Sequence, residues 1–336
     1  MNSTQVVLGI DIGGTNTVFG LVDDKGKCYY KNQITTEAQR PAELLFARLF
    51  EAFNADYNKI RNDLELIGIG IGAPSANIFK GAIENPSNFN WGYVDVVKLI
   101  EKYYALPVLV GNDANNAAVG EMLYGAAQDY KNFILITLGT GLGSGIVVDG
   151  NILYGSDGFA GEIGHTIVTE NGRQCNCGRC GCLETYVSAP GICRTVFELL
   201  AENNNSSILR QYPYELLTSK HIYDAALGED KIAKQAFEFT GAKLGMALAN
   251  SVAHLSPEAI IVFGGLALAG DMIINPTRIY MEKNLLSLYK GKVKILPSSL
   301  MESENAAILG AAALIWKEIN KDRMIPIVAK TIGIKN

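Results

Sequence analysis

The chain has 336 residues, and 48% of them are hydrophobic. A chain of this length exceeds what a single hydrophobic core usually supports, which predicts two lobes. Charged residues make up 19% and the formal net charge is -5, so the composition gives no electrostatic reason to bind nucleic acid or an anionic membrane. The N-terminus lacks the basic and long apolar regions of a signal peptide, and no stretch approaches the roughly 18 apolar residues of a membrane helix. We therefore expect a cytoplasmic protein.

A glycine-centred hairpin opens the chain. Residues 6–10 and 18–22 predict strands on either side of a turn at Gly13. Residues 132–150 repeat this pattern, and Gly13 falls on Gly139 when the two segments are laid over each other without gaps. The repeat predicts two lobes of common architecture.

Strands and helices alternate along the rest of the chain, which predicts an α/β protein. Short apolar runs predict strands, and apolar residues spaced by three or four predict helices. The further predicted strands cover residues 64–71, 106–111 and 259–263, and the predicted helices cover residues 114–125, 230–254 and 305–319.

Three glycine turns follow apolar strands, at Gly13, Gly139 and Gly264. Backbone N–H groups in a turn without side chains can converge on phosphate oxygens, although many such turns only close a hairpin. Because the turn occurs three times, we expect phosphate binding, and since no G-K-[ST] follows the glycines, none is a Walker loop. Asp11, just before the first turn, is placed where a carboxylate could hold magnesium near a phosphate.

The stretch GNDANNAAVGE, at residues 111–121, places Asn112 and Asp113 between a predicted strand and a predicted helix. Both residue types are favoured helix N-caps. The carboxyl ends of strands in α/β proteins are also where ligands bind. In that second role the Asp113 carboxylate would accept a proton from an attacking hydroxyl, which typically contributes about 10² to 10⁴ in rate.

The stretch HTIVTENGRQCNCGRCGCLE, at residues 165–184, contains four of the six cysteines, and these four span only eight residues. Three thiolates in a Cys-x-Cys-x₄-Cys pattern, together with His165, make a closed four-ligand zinc set of the structural kind. The Cys-x-x-Cys spacing of Cys177 and Cys180 leaves a redox role open. Glu162 lies three residues before His165, so the two side chains form either a solvated pair or part of the same site.

Together these motifs resemble the ROK family of bacterial sugar kinases, repressors and open reading frames, over essentially the whole chain. DIGGT at residues 11–15 and LGTGLGSG at residues 138–145 resemble the two phosphate motifs of the family, and GNDAN at residues 111–115 resembles its catalytic motif. EIGH, followed by CxCGxxGCLE at residues 175–184, resembles the family signature. The resemblance implies an α/β, two-lobed, actin-like (ribonuclease H-like) ATPase fold with a cleft between the lobes.

The resemblance also implies ATP, Mg²⁺ and structural Zn²⁺ as cofactors and Asp113 as the catalytic base. The implied sugar-binding residues are Asn88, Asn112, Asp113, Glu162, His165 and Glu184. The implied nucleotide-binding residues are Asp11, Gly13, Gly14, Thr15, Gly139, Thr140, Gly141, Gly264 and Gly265. The implied zinc ligands are His165, Cys175, Cys177 and Cys182.

Two positions depart from the family pattern. Cys180 is an extra cysteine within the zinc motif, so the identity of the third thiolate ligand stays open. Ser75, in GAPSAN, stands where glycine is common.

The predicted small lobe comprises residues 1–114 and 308–336, and the predicted large lobe comprises residues 115–307, with the second phosphate motif and the zinc loop.

We therefore expect an ATP-dependent kinase that phosphorylates the 6-hydroxyl of a hexose, with glucose as the first choice, in a homodimer or homotetramer. An N-acetylglucosamine or N-acetylmannosamine kinase is the alternative within this class. A DNA-binding repressor is disfavoured by the acidic composition and because DIGGT begins at residue 11, which leaves no room for a helix-turn-helix. A non-catalytic sugar sensor is disfavoured because Asp113 is present.

Overall fold

The computed structural model describes residues 3–86, 89–301, 303 and 305–320, and these residues form two compact units. The described residues of the first unit lie within Met1–Asp129, Ile152–Ala160 and Glu302–Asn336. The second unit comprises Tyr130–Asn151 and Gly161–Met301. Within the described part of the chain, no helix is long and apolar enough to cross a membrane.

Strands and helices alternate along the chain, and every strand and helix that we predicted is present. The strands are β1 (Thr4–Ile12), β2 (Asn16–Val22), β3 (Cys28–Thr35), β4 (Leu64–Ala73), β5 (Ala76–Asn77), β6 (Ala82–Glu84), β7 (Tyr93–Asp95), β8 (Val108–Asn112), β9 (Phe133–Leu138), β10 (Leu142–Val148), β11 (Asn151–Ile152), β12 (Ala259–Phe263) and β13 (Lys294–Pro297). The helices are α1 (Ala42–Ile60), α2 (Val96–Glu101), α3 (Asp113–Tyr124), α4 (Ala189–Glu202), α5 (Ser219–Leu227), α6 (Lys231–Leu255), α7 (Asp271–Asn284) and α8 (Ala306–Ile319).

The two large sheets have the same topology, as the repeated glycine hairpin predicts. Their strand orders are β3-β2-β1-β4-β8 and β11-β10-β9-β12-β13, and a small sheet, β5-β6-β7, belongs to the first unit. In each large sheet an antiparallel hairpin continues into parallel strands. The hairpins differ in one detail: residues 13–16 link Ile12 to its partner Thr17, whereas residues 139–141 link Leu138 to Leu142. The ungapped overlay is therefore displaced by one residue after the turn.

Helix α8 packs against the sheet of the first unit at very short range, because glycines face it. A Cβ added to Gly70 would lie 2.0 Å from the carbonyl oxygen of Ala311, and one added to Gly9 would lie 2.3 Å from that of Ile308. The alternating glycines of β4 thus admit the apolar helix. On the other face, α1 buries Phe46, Phe50 and Phe53.

The core of the second unit is organised around α6. Its N-cap is Asp230, whose carboxylate accepts hydrogen bonds from the N–H groups of Ile232 and Ala233. Ile232, Leu244, Leu248 and Val252 are fully buried, and their helical spacing is what made this helix predictable from the sequence.

The compact units divide the chain differently from the lobe boundary that we predicted at residues 114/115. All of α3 belongs to the first unit because it packs against α8: a Cβ added to Gly310 would lie 2.9 Å from the carbonyl oxygen of Asn116. The segment Ile152–Ala160 also belongs to the first unit, although its neighbours in the chain belong to the second. Within that segment Tyr154 stacks edge-on against Phe79, and the ring centroids are 5.8 Å apart.

Ser75 has a φ of 53°, in the left-handed region that favours glycine. This backbone conformation gives a physical reason why glycine is common at the corresponding position of the family.

Candidate active site and metal centre

Two carboxylates lie at the ends of neighbouring parallel strands in the first unit. Asp11 of β1 is the register partner of Gly72 in β4, and Gly72 is the partner of Gly111 in β8. Asp113 follows as the first residue of α3. A Cβ at Gly72 would lie 3.0 Å from Oδ1 of Asp11, so the glycine leaves room for that carboxylate. The parallel strands thus bring Asp11 and Asp113 to the same edge of the sheet.

The N-cap of α3 is Asn112. Its Oδ1 accepts hydrogen bonds from the N–H groups of Ala114 and Asn115, at 2.9 and 3.4 Å. Asp113 is exposed, and its Oδ1 accepts one further bond from the N–H of Ala114, at 2.8 Å. The capping role therefore belongs to Asn112, and it leaves the Asp113 carboxylate accessible.

Both carboxylates bind protons more tightly than ordinary aspartates. Burial, with a smaller contribution from the charge of Asp113, raises the pKa of Asp11 to about 7. Although solvent reaches Asp113, the surrounding protein desolvates its carboxylate and raises its pKa, and two bonds from backbone N–H groups oppose that rise. Two desolvated negative groups at one edge favour either a proton or a cation between them.

Two hydrogen bonds from a buried threonine, Thr36, stabilise the first glycine turn. The hydroxyl of buried Thr36 donates to the carbonyl oxygen of Gly13 at 2.6 Å, and its N–H donates to that of Thr15 at 2.8 Å. Gly14 and Thr15 are exposed, and a Cβ added to Gly14 would meet nothing within 4 Å. Thr36 therefore holds two carbonyl oxygens of the turn, and Gly14 and Thr15 are open to solvent. We did not predict Thr36, because its partners are far away in the sequence.

The second glycine turn, in the second unit, is held by Glu184. The Oε2 atom of Glu184 accepts a hydrogen bond from the N–H of Leu142 at 2.9 Å. A Cβ at Gly141 would lie only 2.6 Å from this oxygen, so a larger residue there would push the Glu184 carboxylate away from the turn. Thr140, between Gly139 and Gly141, is exposed. The residue that we expected to bind sugar also supports the expected phosphate turn.

The third glycine turn opens onto a pocket in the second unit. Gly264 has a φ of 101°, and a Cβ there would lie 2.6 Å from the carbonyl oxygen of Leu138, so the turn packs directly against the end of β9. The pocket has a volume of about 280 Å³. It is lined by Ser219, Lys220, Tyr223, Gly265, Leu266, Leu268 and Ala269. Sequence reasoning found the glycines but missed the three residues contributed by α5.

Four side chains converge as the zinc motif predicts. One ligand atom from each of His165, Cys175, Cys177 and Cys182 lies within 4.8 Å of the other three. The Sγ atoms of Cys177 and Cys182 are 3.6 Å apart, close to the roughly 3.8 Å between two sulfurs bound tetrahedrally to one zinc at about 2.3 Å. Three thiols and one imidazole in this arrangement fit a closed four-coordinate metal site. The thiol of Cys180 instead donates to Oε1 of Gln174, at 3.2 Å.

His165 presents its two ring nitrogens to different neighbours. Nδ1 lies 3.8 Å from Sγ of Cys175, whereas Nε2 lies 3.9 Å from the carboxylate of Glu162. The side chain of Glu162 is 59% exposed. Asn88 lies outside the described residues.

The thiols of this cluster differ in acidity. Burial raises the pKa of Cys175 and Cys182, whereas the backbone N–H of Arg179 is the main cause that lowers the pKa of exposed Cys177 to about 6. The guanidinium of Arg179 also donates to the carbonyl oxygen of His165, at 2.8 Å. Arg179 therefore connects the two ends of the cluster. Metal binding requires all three thiols to be deprotonated.

The ROK family model matches residues 7–318. A glucokinase of Halalkalibacterium halodurans is 37% identical over 324 residues, which cover 95% of this chain and 97% of that protein. A ROK family glucokinase from Streptomyces griseus, solved in complex with glucose and AMPPNP, is 30% identical, with a TM-score of 0.75 over 92% of this chain and 98% of that one. A ROK family transcriptional regulator, a homologue of the E. coli MLC protein, is 26% identical, with a TM-score of 0.85 over 98% of this chain and 80% of that one.

These comparisons confirm both the predicted family and the predicted fold. The α/β chain has the two-lobed, actin-like ATPase fold of the ROK sugar kinases. The chain belongs to the ROK family.

Proposed function

We propose that this protein is an ATP-dependent kinase that phosphorylates the 6-hydroxyl of a hexose, with glucose as its substrate. The observation that carries the proposal is the exposed carboxylate of Asp113. This residue begins α3, directly after the N-cap Asn112, and lies at the same edge of the sheet as Asp11. The likeness to the glucokinase of Halalkalibacterium halodurans over 95% of the chain supports the same activity.

Asp113 acts as the general base. Its carboxylate accepts the proton of the hexose 6-hydroxyl as the hydroxyl oxygen forms a bond to the γ-phosphorus of ATP. The bond between that phosphorus and the β–γ bridging oxygen breaks, and ADP leaves with the electron pair. The raised pKa of Asp113 makes its carboxylate a stronger base than an ordinary aspartate, which suits it to this transfer.

The glycine turns bind the phosphates of ATP through their backbone N–H groups. The first turn would supply Gly13, Gly14 and Thr15, and the second Gly139, Thr140 and Gly141. When bound, Mg²⁺ neutralises the charge of the phosphates, and Asp11 would hold it, since this desolvated carboxylate favours a neighbouring cation. The pocket beside Gly264 and Gly265 suits the nucleoside of ATP, because its wall combines apolar Leu266 and Leu268 with polar Ser219 and Lys220.

The hexose hydroxyls are bound by the carboxylates, amides and imidazole that the family pattern assigns. These are Asn88, Asn112, Asp113, Glu162, His165 and Glu184. A structural Zn²⁺ held by His165, Cys175, Cys177 and Cys182 would fix the loop between Glu162 and Glu184. Nδ1 of His165 faces the thiols and leaves Nε2 for the substrate.

The proposal is tested by a kinetic panel with ATP and glucose, mannose, fructose, N-acetylglucosamine and N-acetylmannosamine. Glucose should give the highest kcat/KM. A preference for an N-acetylhexosamine would replace glucose as the substrate, and hexose binding without phosphorylation of any sugar would favour a sugar-sensing regulator. We further propose a cytoplasmic homodimer or homotetramer.

A further inference from the structure

Arg173 is a buried cation in the segment of residues 165–184, which we call the cysteine loop, and its role was not apparent from the sequence. Only 6% of its side chain is exposed. An arginine has five N–H donors, and leaving any of them unpaired in a buried site is costly. Every donor of Arg173 has a partner.

These partners lie in two parts of the second unit. Nη1 donates to the carbonyl oxygens of Thr185 and Gly191, at 2.7 and 3.0 Å. Nη2 donates to Oγ1 of Thr195 at 2.9 Å and to the carboxylate of Glu198, and Nε donates to the same carboxylate at 2.9 Å. One guanidinium thus joins the loop to the first three turns of α4.

The backbone of Arg173 closes the loop as well. Its carbonyl oxygen accepts a hydrogen bond from the N–H of Gly181 at 2.8 Å, and its N–H donates to the hydroxyl oxygen of Tyr186 at 3.0 Å. Two cations lie over the ring of Tyr186: the guanidinium carbon of Arg173 is 4.5 Å and Nζ of Lys243 is 5.1 Å from its centroid. Lys243 is itself bonded to Oγ1 of Thr169, at 2.9 Å.

The position of Arg173 in the chain gives these contacts a functional meaning. It lies two residues before Cys175, and Thr185, which it holds, directly follows Glu184. Glu184 in turn contacts Sγ of Cys175 at 3.8 Å and holds the N–H of Leu142 in the second glycine turn. The contacts of Arg173 involve none of the four metal-ligand side chains.

We propose that Arg173 is a positioning residue that anchors the cysteine loop to α4 and thereby fixes Glu184 and the metal ligands, independently of the metal. This inference rests on the proposed hexose kinase function where it concerns hexose binding. Its effect on metal affinity does not depend on that function.

The test compares Arg173→Met with the wild type and with Arg194→Met. Arg194 is the matched control, because it also donates to this loop but does so through one bond, to the carbonyl oxygen of Gln174 at 3.2 Å. For Arg173→Met we expect zinc affinity, measured by chelator competition, to fall by about 10- to 100-fold, as for other residues that support metal ligands. We expect the hexose KM to rise about tenfold while kcat per folded molecule changes little, because Asp113 is unaffected. Arg194→Met should keep both constants within about twofold of the wild type.

Two further variants guard against simple misfolding. Arg173→Lys keeps the charge but cannot bridge all partners, so its hexose KM should fall between those of the wild type and Arg173→Met. Glu198→Gln changes a carboxylate that is 52% exposed, and it should shift zinc affinity and KM in the same direction by a smaller factor. A lower active fraction with unchanged KM and unchanged zinc affinity would make Arg173 merely structural and would overturn the inference. A wild type that phosphorylates no hexose would defeat the proposed function alone, since the zinc measurement still decides the role of Arg173.

Discussion

Replacing Asp11 with asparagine should stabilise the first unit at neutral and alkaline pH. The pKa of Asp11 is raised from 3.8 to about 7 in the folded protein, mainly by burial. Between these values the folded state holds a proton that the unfolded chain has released, so the free energy of unfolding falls as the pH rises. The contribution of protonated Asp11 is therefore fully present below pH 3.8 and is lost as the pH passes through about 7.

The magnitude follows from the shift. A rise from 3.8 to about 7, at about 1.36 kcal/mol per unit, corresponds to an upper limit of about 4 kcal/mol. Because solvent reaches part of Asp11, screening reduces the expected effect to on the order of 2 kcal/mol. Asparagine cannot ionise, so the variant should escape this loss while also losing the carboxylate that would hold Mg²⁺.

Tryptophan fluorescence during denaturant unfolding is a suitable assay. The chain has two tryptophans, Trp91 and Trp316, and both are buried in the first unit, so the signal reports that unit. The stability advantage of Asp11→Asn should grow between pH 4 and pH 8 by on the order of 2 kcal/mol. Asp113→Asn should also flatten the pH dependence, because it removes the raised pKa of Asp113 itself together with the smaller cause of the shift at Asp11. Equal pH dependence in the wild type and Asp11→Asn would show that folding does not raise the pKa of Asp11.

The remaining predictions concern the second unit. Gly141→Ala should destabilise it by about 1.5–3 kcal/mol, because the added Cβ displaces Glu184 from the N–H of Leu142, whereas Gly139→Ala, which meets nothing within 4 Å, should leave the free energy of unfolding nearly unchanged. Comparable losses in the two alanine variants would contradict this. Metal analysis should find about one zinc per chain, and Cys177→Ala should lose it. Cys180→Ala should retain the zinc, since its thiol faces Gln174, and loss of zinc on that change would reassign the third thiolate.

Local patterns in the sequence were sufficient to predict several elements of the fold. The hairpin β1–β2 and the helix α6 were predicted from apolar periodicity, a pattern that extends over a few residues at a time. The convergence of His165, Cys175, Cys177 and Cys182 was also predictable, because the three cysteines lie close together in the chain.

Other features depend on contacts between distant residues, which a single sequence does not display. Ile152–Ala160 joins the first unit because Asp157 and Tyr154 meet Asn77 and Phe79 across many residues of chain. Thr36 and Arg173 likewise acquire their roles only when folding brings their partners together. The contribution of α5 to the third glycine turn was missed for the same reason.

Turnover of the wild type and Asp113→Asn with glucose and ATP tests whether Asp113 accepts the proton of a hexose 6-hydroxyl. The phosphorylated position is identified by NMR, and glucose binding is measured by calorimetry. We expect glucose 6-phosphate and ADP from the wild type, and a kcat lower by about 10² or more in the variant with glucose still bound. Near-normal turnover by Asp113→Asn, or phosphorylation at another hydroxyl, would contradict it.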